Sequence, residues 1–140
     1  MDSHHIRPYV YGERPLDAAP VAVSVALVSA VTFAALGSVG VSVDTSPGEV
    51  VFLAVFSILP IAAGAICGYR SFGFPAATVC GVIPAVTFYV VVTVGTALGV
   101  GSFGGGDSPA WALGIAFGSV GFIWSVFGFA VGVGVALSRR

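Results

Sequence analysis

Two cysteines and two histidines are the side chains of this sequence best suited to bind a metal. Cys67 and Cys80 lie thirteen residues apart, and His4 and His5 are adjacent near the N-terminus. Together they match a zinc ligand set in kind, but standard sites place their paired ligands only roughly two to five residues apart. The spacing favours ordinary buried cysteines and a solvated tail, so we expect neither a metal site nor a cofactor.

The sequence also lacks the parts of a catalytic site. Nucleophilic catalysis needs a hydroxyl or thiol beside a general base, and the histidines are confined to the N-terminal tail. The interiors of the long apolar segments contain hydroxyls but no carboxylate, imidazole or guanidinium. Gly104-Gly105-Gly106 lacks the Lys-Ser/Thr ending with which a P-loop holds phosphate. We therefore expect the chain not to be an enzyme.

The composition indicates what solvent surrounds the chain. Hydrophobic residues make up 57% of it and charged residues 8%, whereas soluble domains carry roughly 25% charge. So few charges cannot cover a water-exposed surface, and we expect the lipid bilayer to be the main partner. The net charge of −1 comes without a basic stripe, so nucleic acid is not an expected partner.

Charged residues divide the chain into four apolar stretches, each long enough for the roughly 20 residues that span a bilayer. The predicted fold is an all-α membrane protein, a four-transmembrane-helix bundle. We place the cytoplasmic N-terminal tail at 1–19 and the transmembrane domain at 20–140. The predicted spans are 20–42, 48–69, 75–98 and 109–137.

The arginines predict the orientation of these spans. All five basic residues are Arg, and they precede the first span, join the second to the third, or follow the fourth: Arg7, Arg14, Arg70, Arg139 and Arg140. The opposite side carries only acidic residues, namely Asp44, Glu49 and Asp107. Because basic loops stay in the cytoplasm, we expect a multi-pass protein of the cytoplasmic membrane with both termini inside the cell.

Small residues recur at every fourth position of several spans, which lets helix backbones approach closely in lipid. The predicted helix-packing positions are Ala22, Ala26, Ala30, Ala34, Gly64, Gly68, Gly81, Gly114, Gly118, Gly128 and Gly132. Two interpretations stay open. The faces pack the four helices of one chain together, or some of them bind a second copy or another membrane protein.

Prolines lie inside two of the predicted spans, at Pro60 and Pro84. Each removes a backbone donor and frees the carbonyl four residues earlier, so we expect a helix kink at both. Such a kink serves as a hinge or cavity in some proteins and is a static bend in others.

One stretch carries a family resemblance. It runs Gly64-Ala65-Ile66-Cys67-Gly68-Tyr69, then Arg70 in a short loop, then Ala76-Ala77, Gly81 and Pro84. This order resembles the middle of small four-helix membrane proteins of halophilic archaea, whose second helix ends in Gly-Tyr. The resemblance implies the four-helix fold and no particular chemistry.

The leading functional hypothesis is a non-enzymatic structural or partner-binding helix bundle that associates with itself. Proton-coupled carriers typically keep an ionisable residue within the membrane, and the interiors of these spans have none. The alternative is a passive channel or carrier for a small neutral or hydrophobic solute, suggested by the prolines and hydroxyls.

Overall fold

Four long helices make up most of the protein. The structure, a computed structural model, describes residues 10–12, 15–40, 46–100 and 109–139. A 3₁₀ turn at Pro15–Ala18 leads into α1 (Ala19–Val39), followed by α2 (residues 46–69), α3 (Phe74–Ala97) and α4 (Ala110–Ser138). Each helix is long and apolar enough to cross a membrane. The prediction of an all-α chain with four such helices is confirmed for the described residues.

The first helix differs most from its predicted bounds of 20–42. Helical structure begins earlier, in the turn at Pro15–Ala18, and α1 ends earlier, at Val39. Gly40 stops the helix in a left-handed conformation, with φ at 70°, and its N–H donates to the carbonyls of Leu36 and Gly37. Glycine enters this conformation without a steric penalty, which makes it the usual helix terminator.

The second helix changes its hydrogen-bond register where the sequence predicted a kink. It consists of Ser46–Leu53, a π-helical stretch at Ala54–Ile58, and Leu59–Tyr69. The N–H of Leu59 donates to Ala54, five residues back, immediately before Pro60. Proline has no N–H to donate, so a widened turn at this point accommodates the interrupted ladder. Both Pro60 and Pro84 are fully buried in the bundle.

A tight turn joins α2 to α3 and marks one end of the bundle. The N–H of Phe72 donates to the carbonyl of Cys67 over 3.0 Å, and Gly73 has a φ of 97°. The backbone of Gly12 lies directly against this turn, and Arg139 donates to the Tyr69 hydroxyl over 3.5 Å. The segment before α1, the turn and the end of α4 therefore meet at one end, called the turn end below; the opposite end is the far end.

The helices do not share their contacts equally. The most extensive interface joins α4 to α2, the next joins α4 to α3, and α1 packs mainly on α3. Two buried clusters fill the interior. The small-residue cluster lies toward the turn end and contains Val25, Ala63, Cys67, Ala77 and Cys80. The aromatic cluster lies toward the far end and is built around Phe33, Phe52, Phe56, Phe88 and Phe117.

The aromatic cluster joins all four helices. The rings of Phe56 and Phe117 stack with centroids 4.3 Å apart and planes within 13° of each other. Phe33 and Phe88 meet edge to face at 5.3 Å. Both arrangements are favourable for aromatic pairs and add to the energy of simple burial. The expected core of glycine and alanine contacts thus describes only the half of the bundle at the turn end.

Candidate interaction surface

Glycines form the seam between α2 and α4. Four of the predicted helix-packing glycines lie in this seam: Gly64, Gly68, Gly128 and Gly132. A Cβ atom at any of them would overlap a backbone carbonyl of the facing helix. Their missing side chains therefore allow backbone-to-backbone contact, as in other small-residue helix interfaces. These four glycines are covered by a facing helix of the same chain and are not exposed to a partner.

The seam continues onto α3 at Gly81, whose Cβ would lie 2.5 Å from the Cβ of Ser125 and 2.7 Å from the carbonyl oxygen of Gly121. The Ser125 hydroxyl is fully buried and donates to the carbonyl of Ala77 over 2.5 Å. This hydrogen bond crosses from α4 to α3 and ties the two helices together at the turn-end half.

Most other hydroxyls bind their own helix. Ser24, Thr32 and Ser119 each donate to the carbonyl four residues back, at 2.7 to 2.9 Å, the usual arrangement for such residues in apolar helices. Ser29 is different. Its side chain is completely buried, and its oxygen has no hydrogen-bond partner. The α1 hydroxyls therefore do not form a polar path through the described part of the bundle.

The alanine stripe of α1 lies beside the buried face of that helix. Ala22, Ala26 and Ala30 are half-buried, and Ala34 is exposed. The fully buried positions of α1 are one turn apart along a neighbouring line, at Val25, Ser29 and Phe33. The buried face of α1 is therefore formed by Val25, Ser29 and Phe33, and the predicted alanines lie at its edge.

The two cysteines come together in the turn-end half of the bundle. Cys67 on α2 and Cys80 on α3 are completely buried and belong to the same small-residue cluster. His4 and His5 lie outside the described residues. Within the described part of the chain, no group of three or more His, Cys, Asp or Glu side chains could hold a metal ion.

A groove of about 780 Å³ opens between α3 and α4 in the far-end half. Gly114 and Gly118 lie along it, and Tyr89, Trp111 and Phe122 are among its other lining residues. A Cβ at Gly114 would sit 3.7 Å from Tyr89, and one at Gly118 would sit 3.5 Å from Ala85. These are ordinary contact distances, so packing between α3 and α4 does not require glycine at either position.

The groove is an extension of the internal seam. Small residues on α4 follow a spacing of four, three, four, three and four residues: Gly114, Gly118, Gly121, Ser125, Gly128 and Gly132. That spacing keeps them on one face of a helix. The turn-end half of the face is covered by α2 and α3, whereas the far-end half borders the open groove.

The groove offers little chemistry. Its lining is almost wholly apolar. Its hydroxyls are those of Tyr89 and Ser119, and the Ser119 hydroxyl already binds the carbonyl of Ile115. Such a surface in a membrane protein buries apolar contact area and has no group suited to proton or group transfer.

No family model, curated protein or solved structure matches this chain.

Several of the packing residues do not stand out in the sequence. Gly121 and Ser125 complete the α4 stripe. They are four residues apart, and steps of three residues from Gly118 and to Gly128 place them on the same face as the two predicted glycine pairs. The aromatic cluster leaves no comparable signal. The chain has 11 phenylalanines, and Phe122 and Phe127 are exposed while Phe33 and Phe88 are buried. In lipid both environments are apolar, so residue type does not separate them.

Proposed function

We propose that this chain is a non-enzymatic membrane-embedded helix bundle that associates with a second copy of itself through the groove between α3 and α4. One observation carries the proposal. Gly114 and Gly118 continue a small-residue face that packs helices elsewhere in the chain, yet packing within the chain does not require glycine at either position. A surface already suited to close helix packing is left open to a partner.

The shape of α4 favours a second copy over an unrelated partner. Next to the glycine face stand large exposed side chains, with Ile115 64% and Ile123 62% exposed. A ridge beside a groove on one helix is self-complementary in a twofold dimer, where the ridge of each copy fills the groove of the other. The proposal includes no cofactor and no nucleic-acid partner.

The oligomeric state in lipid tests this proposal. We expect the purified protein in nanodiscs or mild detergent to run as a dimer by native mass spectrometry. Gly114→Leu and Gly118→Leu fill the groove and should shift it to monomer. Gly134→Leu is the matched control, because Gly134 lies on the same helix with no atom near its Cβ position.

A wild-type protein that stays monomeric in several detergents and in nanodiscs would overturn the proposal. So would dimers that persist unchanged in both groove variants. Thermal unfolding of each variant distinguishes a specific loss of association from a loss of fold, since the groove variants should melt like the Gly134→Leu control.

We further propose that the turn end faces the cytoplasm, with both termini inside the cell. Arg70 in the turn and Arg139 after α4 lie at the turn end, and Arg tends to remain on the cytoplasmic side. Trp111, at the start of α4, falls at the far end, where an aromatic ring suits the opposite interface. A C-terminal reporter that fluoresces only in the cytoplasm should be active, and a periplasm-type phosphatase fusion should be silent.

The passive channel remains the alternative, and it requires a path between copies. Within the described residues the aromatic cluster fills the far-end half of the bundle and the glycine seam closes the other half. Pro60 and Pro84 lie in this packed interior, so they support static bends more than a cavity. The resemblance to four-helix proteins of halophilic archaea stays a prediction.

A further inference from the structure

We propose that Cys67 and Cys80 form a dithiol site for the mercuric ion, a soft ion that prefers two sulfur ligands in a line. The two thiols come from different helices, α2 and α3, and are 0% and 1% exposed. Both belong to the same buried small-residue cluster. The turn between the helices and the packing of α2 on α3 bring the two cysteines together. Their proximity therefore depends on tertiary packing and not on a local sequence motif.

The surroundings limit the ion to two ligands. The rest of the small-residue cluster consists of Val25, Ala63 and Ala77, none of which has a donor side chain. Among the described residues no third His, Cys, Asp or Glu completes a larger set. Zinc in a structural site takes four ligands, so this pair suits ions that are satisfied by two thiolates, a class defined by softness.

Charge then selects among the soft ions. Binding converts two thiols and one Hg²⁺ into a neutral bis-thiolate complex and releases two protons. A monovalent ion such as Ag⁺ on two thiolates would leave a net negative charge in the same place, and burying an unpaired charge in apolar surroundings is strongly unfavourable. No described cationic side chain belongs to the cluster. To stay neutral, Ag⁺ must leave one thiol protonated and gives up one of its two thiolate ligands, whereas the mercuric ion keeps both thiolates in a neutral complex.

The site lies close to an end of the bundle, which gives an ion a short route to it. Cys67 is two residues from the end of α2, and Phe72 of the turn packs against the cluster. If the turn end is cytoplasmic, as proposed above, the reducing compartment keeps both thiols free for metal.

Titration of the reduced protein in detergent with Hg²⁺ tests the site. We expect one ion per chain, release of two protons per ion, and loss of both thiols toward a thiol reagent. Because the ion binds the folded state, the thermal midpoint should rise. Cys67→Ala and Cys80→Ala should each abolish that rise, and Cys67→Ala/Cys80→Ala sets the baseline. Alanine is suitable because buried cysteine packs as a small apolar residue.

Three outcomes would overturn the inference: two ions bound per chain, one at each thiol; binding only after the chain is unfolded; or a midpoint that falls on binding. An equal rise in midpoint with Ag⁺ would overturn the choice of ion by charge. Oligomeric state does not enter these readouts, so the dithiol site and the proposed dimer succeed or fail independently.

Discussion

Two buried serines show how the same residue type has opposite effects in this bundle. Ser125 donates across a helix interface to the carbonyl of Ala77. Ser29 is equally buried and has no partner. In a separated α1 helix the Ser29 hydroxyl can bind a carbonyl of its own preceding turn, so assembly of the bundle removes a hydrogen bond from Ser29 and adds one at Ser125.

We therefore predict opposite signs for two alanine substitutions. Ser29→Ala should leave stability unchanged or raise it by up to about 1 kcal/mol, because an unsatisfied hydroxyl is removed. Ser125→Ala should lower it by about 0.5–1.5 kcal/mol, the range of interhelical hydrogen bonds in membranes. Reversible unfolding by a denaturing detergent, or steric trapping in bicelles, measures both. A destabilising Ser29→Ala would show that the hydroxyl has a favourable contact.

The glycines of α4 are predicted to fall into two groups. Gly128→Ala and Gly132→Ala place a methyl group into a facing carbonyl and should each lower stability by about 1–3 kcal/mol, as overpacked positions do. Gly134→Ala meets open space and should be neutral or slightly stabilising, since alanine is the better helix former. The same unfolding assay applies, and equal effects at all three positions would contradict the seam.

At the scale of elements, the turn between α2 and α3 also anchors the segment before α1. Gly73 adopts φ of 97°, and an added Cβ would lie 2.7 Å from the backbone nitrogen of Gly12. The turn therefore holds the segment through backbone contact between two glycines. This contact depends on both glycines, because a side chain at either position would push the segment before α1 away from the turn.

Gly73→Ala should consequently release that segment. The backbone conformation is one reserved for glycine and costs about 1–3 kcal/mol for other residues, and the contact with Gly12 is lost as well. We expect faster chymotrypsin cleavage after Tyr11, which adjoins Gly12, and a lower thermal midpoint. Gly99→Ala is the matched control: it shares a positive φ of 65° but meets no neighbouring atom, so its cleavage rate after Tyr11 should match that of the wild type.

At the scale of the whole molecule, the aromatic cluster brings together rings from all four helices. Phe117 stacks on Phe56 and lies edge-on to Phe88. In the bilayer proposed above, lipid would surround the helices in the folded and separated states alike, so simple transfer from water would add little to stability. Ring packing and dispersion must supply most of the stabilisation.

Phe117→Ala should therefore lower the free energy of unfolding by about 2–3 kcal/mol. This loss is slightly smaller than that of a phenylalanine truncation in a water-soluble core, because little transfer from water is lost. Phe127→Ala provides the comparison on the same helix, since Phe127 is 57% exposed, and its effect should stay within about 0.5 kcal/mol. Unfolding in bicelles measures both. A similar loss at the two positions would mean that the cluster has no special role.

Much of the fold is readable from the sequence because its signals are local. Charges bound the apolar stretches, and length then determines the number of helices. Gly40 ends α1 and Pro60 disrupts the ladder of α2 through their own backbone chemistry. The end of α1 was predicted too late because Val41 and Ser42 are compatible with a helix in composition, whereas Gly40 ends it through its conformation.

The tertiary structure alone decided how the packing positions are used. The sequence marks Gly114 and Gly128 alike, each followed by glycine four residues later, yet only the latter pair is filled by a facing helix. Likewise Cys67 and Cys80 become neighbours only when α2 and α3 pack. The physical reason is that lipid and core are both apolar. Apolar composition therefore predicts that a helix spans the membrane, whereas shape complementarity between helices determines which face packs inward.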